Sequence, residues 1–351
     1  MTGGLRDKLA AQIAQTGPLT VAQYMTVCLH DPEFGYYATR PALGEAGDFI
    51  TAPLVSQMFG ELIGVWAIST WQAMGRPARF TLVEMGPGDG TLMSDLLRAA
   101  KVAPGFVEAA DVWLVETSAP LAALQRARLP ETVRWAASLD EVPGGAPMIL
   151  VANELLDCLP ARQFLRTATG WAEQVVGLAE DGGLRFGLVP TGAPMPDARE
   201  GVVCEISAPQ EALGAALGER LARDGGAALL IDYGRDRPGF GDTLQALRRH
   251  VKVDPLEGPG EADLTVHADF PAVMAAAERA GAASAILTQA AFLARVGVGE
   301  RAEALVRARP DKAAMIGRQL HRLVGGDQMG DLFKACCLHS PGWTPPAFEE
   351  A

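Results

Sequence analysis

The 351-residue chain is poor in cysteine, short of positive charge and free of long apolar runs. Its five cysteines include no C-x-x-C pair, and Cys336 and Cys337 stand side by side in an apolar stretch. That usage argues against a disulfide framework and against structural zinc. No metal is expected, and the expected compartment is a reducing cytosol. No apolar run reaches the ~20 residues with which a helix crosses a bilayer, so no membrane insertion is expected. Residues 1–18 carry neither the apolar core of a signal peptide nor the arginine-rich pattern of a transit peptide, which points to a cytoplasmic protein. Lysine and arginine number 30 against 42 acids, a formal net charge of −12. Such a surface repels a phosphate backbone, and no nucleic acid partner is expected. Internal repeats are also lacking. The length allows one large domain with insertions, or two domains.

What is present starts at Phe80. An apolar run ends in Glu84, passes into Gly86-Pro87-Gly88-Asp89-Gly90-Thr91, and continues in a helical pattern over Leu92–Leu97. This predicts a strand, a tight turn and a helix, with glycines where a ligand approaches the main chain. Thr91 occupies the place of the last glycine in the dinucleotide fingerprint G-x-G-x-x-G, so a nicotinamide dehydrogenase is the weakest reading. No Gly-Lys-Ser/Thr loop for a diphosphate occurs. The remaining pattern resembles motif I of the class I S-adenosylmethionine (SAM) methyltransferases. In that class the glycine turn, here Gly86, Gly88 and Gly90, passes under the methionine part of the ligand, and the acid before it, here Glu84, lies close by.

The following segments extend the pattern. Val112–Val115 reads as a strand ending at Glu116, 26 residues after Gly90, against a spacing of roughly 20 for a ribose-binding acid in dinucleotide folds. One carboxylate accepts from two vicinal hydroxyls; the alternative is a solvated acid at a strand end. A weaker strand at Val133–Trp135 precedes Ser138-Leu139-Asp140, where such folds clasp the adenine. Met148–Ala152 reads as a buried parallel strand that delivers Asn153 and Glu154 to the carboxyl edge, where open α/β sheets bind ligands.

Residues 1–79 read as a mostly helical block with a loop over Pro32–Pro53, residues 80–345 as the main domain, and residues 346–351 as a tail. Insertions fall at about 160–210 and 234–270. The first holds a β-hairpin, Trp171–Leu178 with Leu184–Val189 about Asp181-Gly182-Gly183. The second, rich in glycine, proline and charge, reads as a long functional loop. Helices are predicted over Gln210–Arg223, Pro271–Ala280, Gly299–Arg307 and Pro310–Val324, and strands over Ala227–Asp232, Ala285–Leu287 and Leu332–His339. The fold class is α/β.

Family-level resemblance rests on the N-terminal block. Pro32-Glu33-Phe34-Gly35-Tyr36-Tyr37, then Gly44-Glu45-Ala46-Gly47-Asp48-Phe49-Ile50-Thr51-Ala52-Pro53 and Ser56-Gln57-Met58-Phe59-Gly60-Glu61 resemble the MidA-like family of SAM-dependent methyltransferases, which includes the mitochondrial complex I assembly arginine methyltransferase. The likeness continues through Glu84–Leu92, Asn153–Pro160, Ile231–Gly234 and Asp263–Phe270 in the family's order, from about Leu19 to Leu338. Leu54 departs from the acid usual there, and Leu155 and Leu156 from the usual aromatics. The resemblance implies a Rossmann-like class I sheet whose last strand runs antiparallel, covered at its carboxyl edge by the helical block and the insertions. It implies SAM as cofactor, bound by Glu84, Gly86, Gly88, Gly90, Glu116, Leu139 and Asn153. It also implies a protein substrate, an arginine of the complex I subunit corresponding to the mitochondrial 49 kDa subunit; a homodimer is left open.

Methylating an arginine means bringing one cation to another, so acids must hold the acceptor and offset the repulsion. Arginine methyltransferases do this with a pair of acids after the fourth strand, and the resemblance implies that Glu154 and Asp157 stand at the corresponding place; on a helical turn they would share one face. Their other reading is a helix N-terminus, where the dipole favours acids. Asp48 is a third candidate, with a self-bonded turn residue as its alternative. Asp232 either contacts substrate or ends a strand. His267 reads as structural rather than as a base, Tyr36 and Tyr37 either stack on ligand or pack the block, and Trp66 reads as core. Two other activities remain open: methylation of a small molecule or another side chain, and an assembly factor that binds SAM without catalysis.

Overall fold

A computed structural model describes residues 4–39 and 51–349. Seven strands form the main path of the eight-stranded central sheet: β1 Phe80–Met85, β2 Ala110–Val115, β3 Arg134–Ala136, β4 Met148–Asn153, β5 Gly226–Arg235, β6 Ala283–Thr288 and β7 Phe333–His339, with the short Ala268–Asp269 paired parallel to the end of β5. The seven lie in the order β3-β2-β1-β4-β5-β7-β6. The first five in chain order run parallel, and β7 runs antiparallel between β5 and β6. Strands β1, β4 and β5 are near-continuous apolar runs because both of their faces are covered. One face carries a core with Trp66, Leu96 and Phe292, the other a core with Leu217, Phe270 and Val273. On the second face the helices Ala208–Asp224 and Phe270–Arg279 touch backbone to backbone. A Cβ at Gly214 would fall 2.4 Å from the Val273 carbonyl oxygen and one at Gly218 2.5 Å from that of Ala277, so only glycine fits.

The strand order reverses between β1 and β4, and a crevice opens at that switch point beyond their carboxyl ends. It is roofed by a third core, in which Leu9, Tyr24 and Leu29 of the N-terminal helices Leu5–Thr16 and Val21–His30 meet Val176 and Leu264. The hairpin is present as Gly170–Leu178 with Leu184–Pro190. It belongs to a five-stranded sheet with Arg162–Thr167, Val203–Ile206 and the short Leu19–Thr20, which lies antiparallel to Gly170–Leu178.

The region after Tyr233 differs from expectation. It is not one long loop: β5 continues to Arg235, and Gln245–Arg248, Val251–Val253 and Asp263–Thr265 form a three-stranded antiparallel sheet. Strands of three or four residues leave too few alternations to show through a glycine- and proline-rich sequence. The helix Gln289–Arg295 was also unexpected. Of the residues read as a tail, 346–348 lie against the core. Phe348 is buried on Phe292, with ring centroids 5.7 Å apart, and Trp66 Nε1 donates to the Pro346 carbonyl at 3.2 Å. No helix among the described residues is long and apolar enough to cross a membrane.

Candidate active site

Strand β1 ends in a turn that side chains would obstruct. Gly86, Gly88 and Gly90 have φ of 64°, 55° and 81°, the left-handed region that favours glycine. A Cβ on Gly86 would also come 3.0 Å from Leu155 Cδ1 across the crevice. Asp89 fixes the turn: its carboxylate accepts from Thr91 N at 3.0 Å and pairs with Arg128 at 2.7 Å. Gly90 is the N-cap of the helix Thr91–Ala100 and lines neither cavity described below.

Glu116 follows β2 directly. One oxygen accepts from Ser118 N at 2.7 Å and the other from Gln125 Nε2 at 3.0 Å. Burial raises its carboxyl above the usual range, against these hydrogen bonds. Gln125 was not singled out from sequence. Fully buried, it also donates to the Gly88 carbonyl at 2.7 Å and accepts from Trp135 Nε1 at 2.9 Å. One amide therefore ties the glycine turn to the acid of the next strand. The available signal was a polar residue on the buried stripe of the helix Ala119–Arg128, four positions after Leu121.

Two adjoining cavities occupy the crevice. The larger, about 490 Å³, runs from Glu116, Leu139 and Asp140 to Glu154 and Asp157. Tyr37 and Asp263 of the roof also line it. The smaller, about 60 Å³, is lined by Glu84, Leu54 and Asn153, and both cavities share Gly86, Gly88 and Glu154. Glu84 Oε2 and Asn153 Oδ1 are buried with no hydrogen-bond partner, and burial holds the Glu84 carboxyl well above its usual range. These residues fit SAM. Glu116 offers acceptors for vicinal hydroxyls, Leu139 an apolar wall for a base, and the two unpartnered oxygens await a donor such as an ammonium group. The larger volume falls in the range of small-molecule sites, roughly 300–1,000 Å³.

The acids beyond β4 are not on a helical turn. Glu154 has φ 53°, and residues 154–159 form an irregular turn that brings both carboxylates to the larger cavity by another route. Glu154 N donates to the Ile231 carbonyl at 2.8 Å; its Oε1 accepts from Ala52 N at 3.2 Å and Asn153 Nδ2 at 2.9 Å. Burial and the neighbouring Asp157 charge push Glu154 up to about 7. Burial likewise pushes Asp157 up to about 6, although the Tyr233 hydroxyl donates to its Oδ2 at 2.6 Å. Asp232 is wholly buried and lines neither cavity; because β5 runs on to Arg235, it lies within the strand rather than at its end.

Asp48 lies outside the described residues. Tyr36 packs in the roof, while the hydroxyl of Tyr37 donates to both oxygens of Asp263 at 2.9 Å on the cavity wall. His267 stands off the cavity with its ring edge-on to Tyr233, and Trp66 is core. Of the two leucines at the usual aromatic positions, Leu155 lines the cavity and Leu156 enters the core below it. Leu54 puts an apolar side chain on the smaller cavity.

A model of a family described as S-adenosyl-L-methionine-dependent methyltransferases matches residues 62–288. The chain belongs to that family. Among named relatives, the protein arginine methyltransferase NDUFAF7, mitochondrial, of Danio rerio is 35% identical over 93% of this chain and 84% of its own length. The Homo sapiens protein of that name is 36% identical over 85% of this chain and 74% of its own length. A crystal structure of a Burkholderia thailandensis protein bound to S-adenosyl-homocysteine is 29% identical, with a TM-score of 0.88 over 99% of this chain and 95% of that one. The expected methyltransferase fold, enzyme class and SAM cofactor therefore hold.

Proposed function

We propose that the chain is a protein-arginine N-methyltransferase in which Glu154 and Asp157 hold the acceptor. The observation that carries this reading is the pair of acids on the larger cavity, next to groups that fit SAM. Relatives named as arginine methyltransferases support it. Glu84, Asn153 and the turn at Gly86 and Gly88 hold the cofactor, with Gly90 shaping that turn and Glu116 and Leu139 at the nucleoside end. Bound SAM supplies an electrophilic methyl group on a sulfonium centre. The guanidinium is cationic, so the protein must align one nitrogen, exclude water and offset its charge. Glu154 and Asp157 accept its N–H groups, fix its plane and concentrate electron density on the reacting nitrogen. Glu154, raised to about 7, is basic enough to take the proton released as the nitrogen is methylated.

By the resemblance, the target is the complex I subunit corresponding to the mitochondrial 49 kDa subunit, modified during assembly. Residues 1–79 and the insertions act as a substrate-facing cover on the 80–345 domain. The test is mass spectrometry of that subunit from the native host with the gene intact, deleted, or carrying Glu154→Gln. Methylarginine that disappears on deletion and falls at least tenfold in the variant, ~1.4 kcal/mol of transition-state stabilisation, supports the reading. Methylarginine that survives deletion overturns it.

A further inference from the structure

We infer that Tyr233 is a positioning residue for methyl transfer, acting through the Asp157 carboxylate. The inference rests on the reading of Asp157 as an acceptor-binding acid and adds a residue that touches neither cavity. Tyr233 is 5% exposed, and its ring lies edge-on to two others, His267 at 5.6 Å and Phe333 at 5.4 Å between centroids. A phenol so packed has one place to put its hydroxyl. That place is 2.6 Å from Asp157 Oδ2, the length of a strong bond from O–H to a carboxylate.

The backbone beneath Asp157 is fixed from the same strand. Asp232 accepts from Leu156 N at 2.8 Å, from Asp157 N at 3.2 Å and from Tyr233 N at 2.8 Å. Neighbouring residues on β5 thus hold the main chain and the side chain of one acid on the cavity wall, where its carboxylate also accepts from the Cys158 backbone N–H. Stability alone would be served as well by two apolar groups of the same shape, which leave no buried charge. The groups facing Asp157 are Glu154 and Cys158 from its own turn, Asp232 and Tyr233 from β5, Asp263 from its short strand and Tyr37 from the roof. Three of these, Glu154, Asp232 and Asp263, are carboxyl groups that disfavour a further negative charge. The Tyr233 hydroxyl opposes them as a donor, and its own ionisation lies well above pH 10 through burial and the adjacent carboxylates.

The test is infrared titration of the carboxyl C=O stretch in the full-length protein saturated with S-adenosyl-homocysteine. Asp157 is assigned as the band lost in Asp157→Asn. In Tyr233→Phe its midpoint should rise by at least one pH unit, with S-adenosyl-homocysteine affinity within twofold of the parent. Fluorotyrosine placed at position 233, a stronger donor of nearly the same shape, should lower the midpoint. An unchanged midpoint in both proteins overturns the inference. If the midpoints shift as expected and Asp157→Asn still methylates the native acceptor at full rate, the acceptor reading fails while the Tyr233–Asp157 linkage stands. If Asp157→Asn abolishes transfer and the midpoints do not move, the reverse holds.

Discussion

Glu154 combines a left-handed backbone with a raised carboxyl, and both have measurable consequences. Protonation removes the charge that grips a cation, so kcat/KM should fall as pH drops through about 7 and then about 6. A flat profile from pH 5 to 8 would remove the acid pair from the chemistry. The stability effect has the opposite sign. Because the folded state binds the Glu154 proton more tightly than the unfolded chain, whose pKa lies near 4.3, folding stability declines as pH rises between about 4.5 and 7. Glu154→Gln should therefore raise Tm by a few degrees at pH 8 and by much less at pH 5. Equal shifts at both pH values would show that packing rather than charge is responsible. Activity and stability thus conflict at this residue, as they often do where like charges are held together.

At the scale of elements, the helix Ala119–Arg128 supports the cavity wall as well as the core. It carries Gln125 to the glycine turn and to Glu116, and Arg128 to Asp89. Gln125→Leu keeps the volume and loses both donations, one of them to a carboxylate worth about 1.5–3 kcal/mol. SAM binding measured by calorimetry should weaken by at least tenfold, as it should for Glu116→Ala. An unaltered Kd in Gln125→Leu would mean that the turn holds its shape without this tie. The glycine turn and its flanking strand and helix were legible because three glycines between an apolar run and a helical pattern leave few alternatives. The short strands between Gln245 and Thr265 were not, since their order comes from packing under the N-terminal helices.

At the scale of the molecule, two cores share the central sheet, and a third joins the N-terminal helices to both insertions over the crevice. The cavity walls therefore come from segments far apart in the chain, with Tyr37, Glu116, Asp157 and Asp263 on one enclosure. A ligand in it should stabilise the molecule as a unit. Saturation with S-adenosyl-homocysteine at 100 times its Kd should add about 2.7 kcal/mol, read as a higher Tm of a single transition. Movement of only part of a biphasic melt would show that the roof unfolds separately.

The strands of the central sheet, the glycine turn and the family were decided by local pattern, because apolar periodicity and glycine requirements act over a few residues. The candidate acids were nameable for the same reason: Glu84, Glu116 and Glu154 each follow or end an apolar strand. Tertiary structure alone decided how they are used. Glu154 and Asp157 meet the cavity through a left-handed turn rather than a helix, Asp232 turns away from the cavity to hold that turn, and Gln125 and Tyr233 bond to cavity-lining acids from buried positions. Each of these depends on a hydrogen bond between groups distant in sequence or on the field of neighbouring buried charges. Such interactions arise only once folding has brought the partners together and removed the water between them.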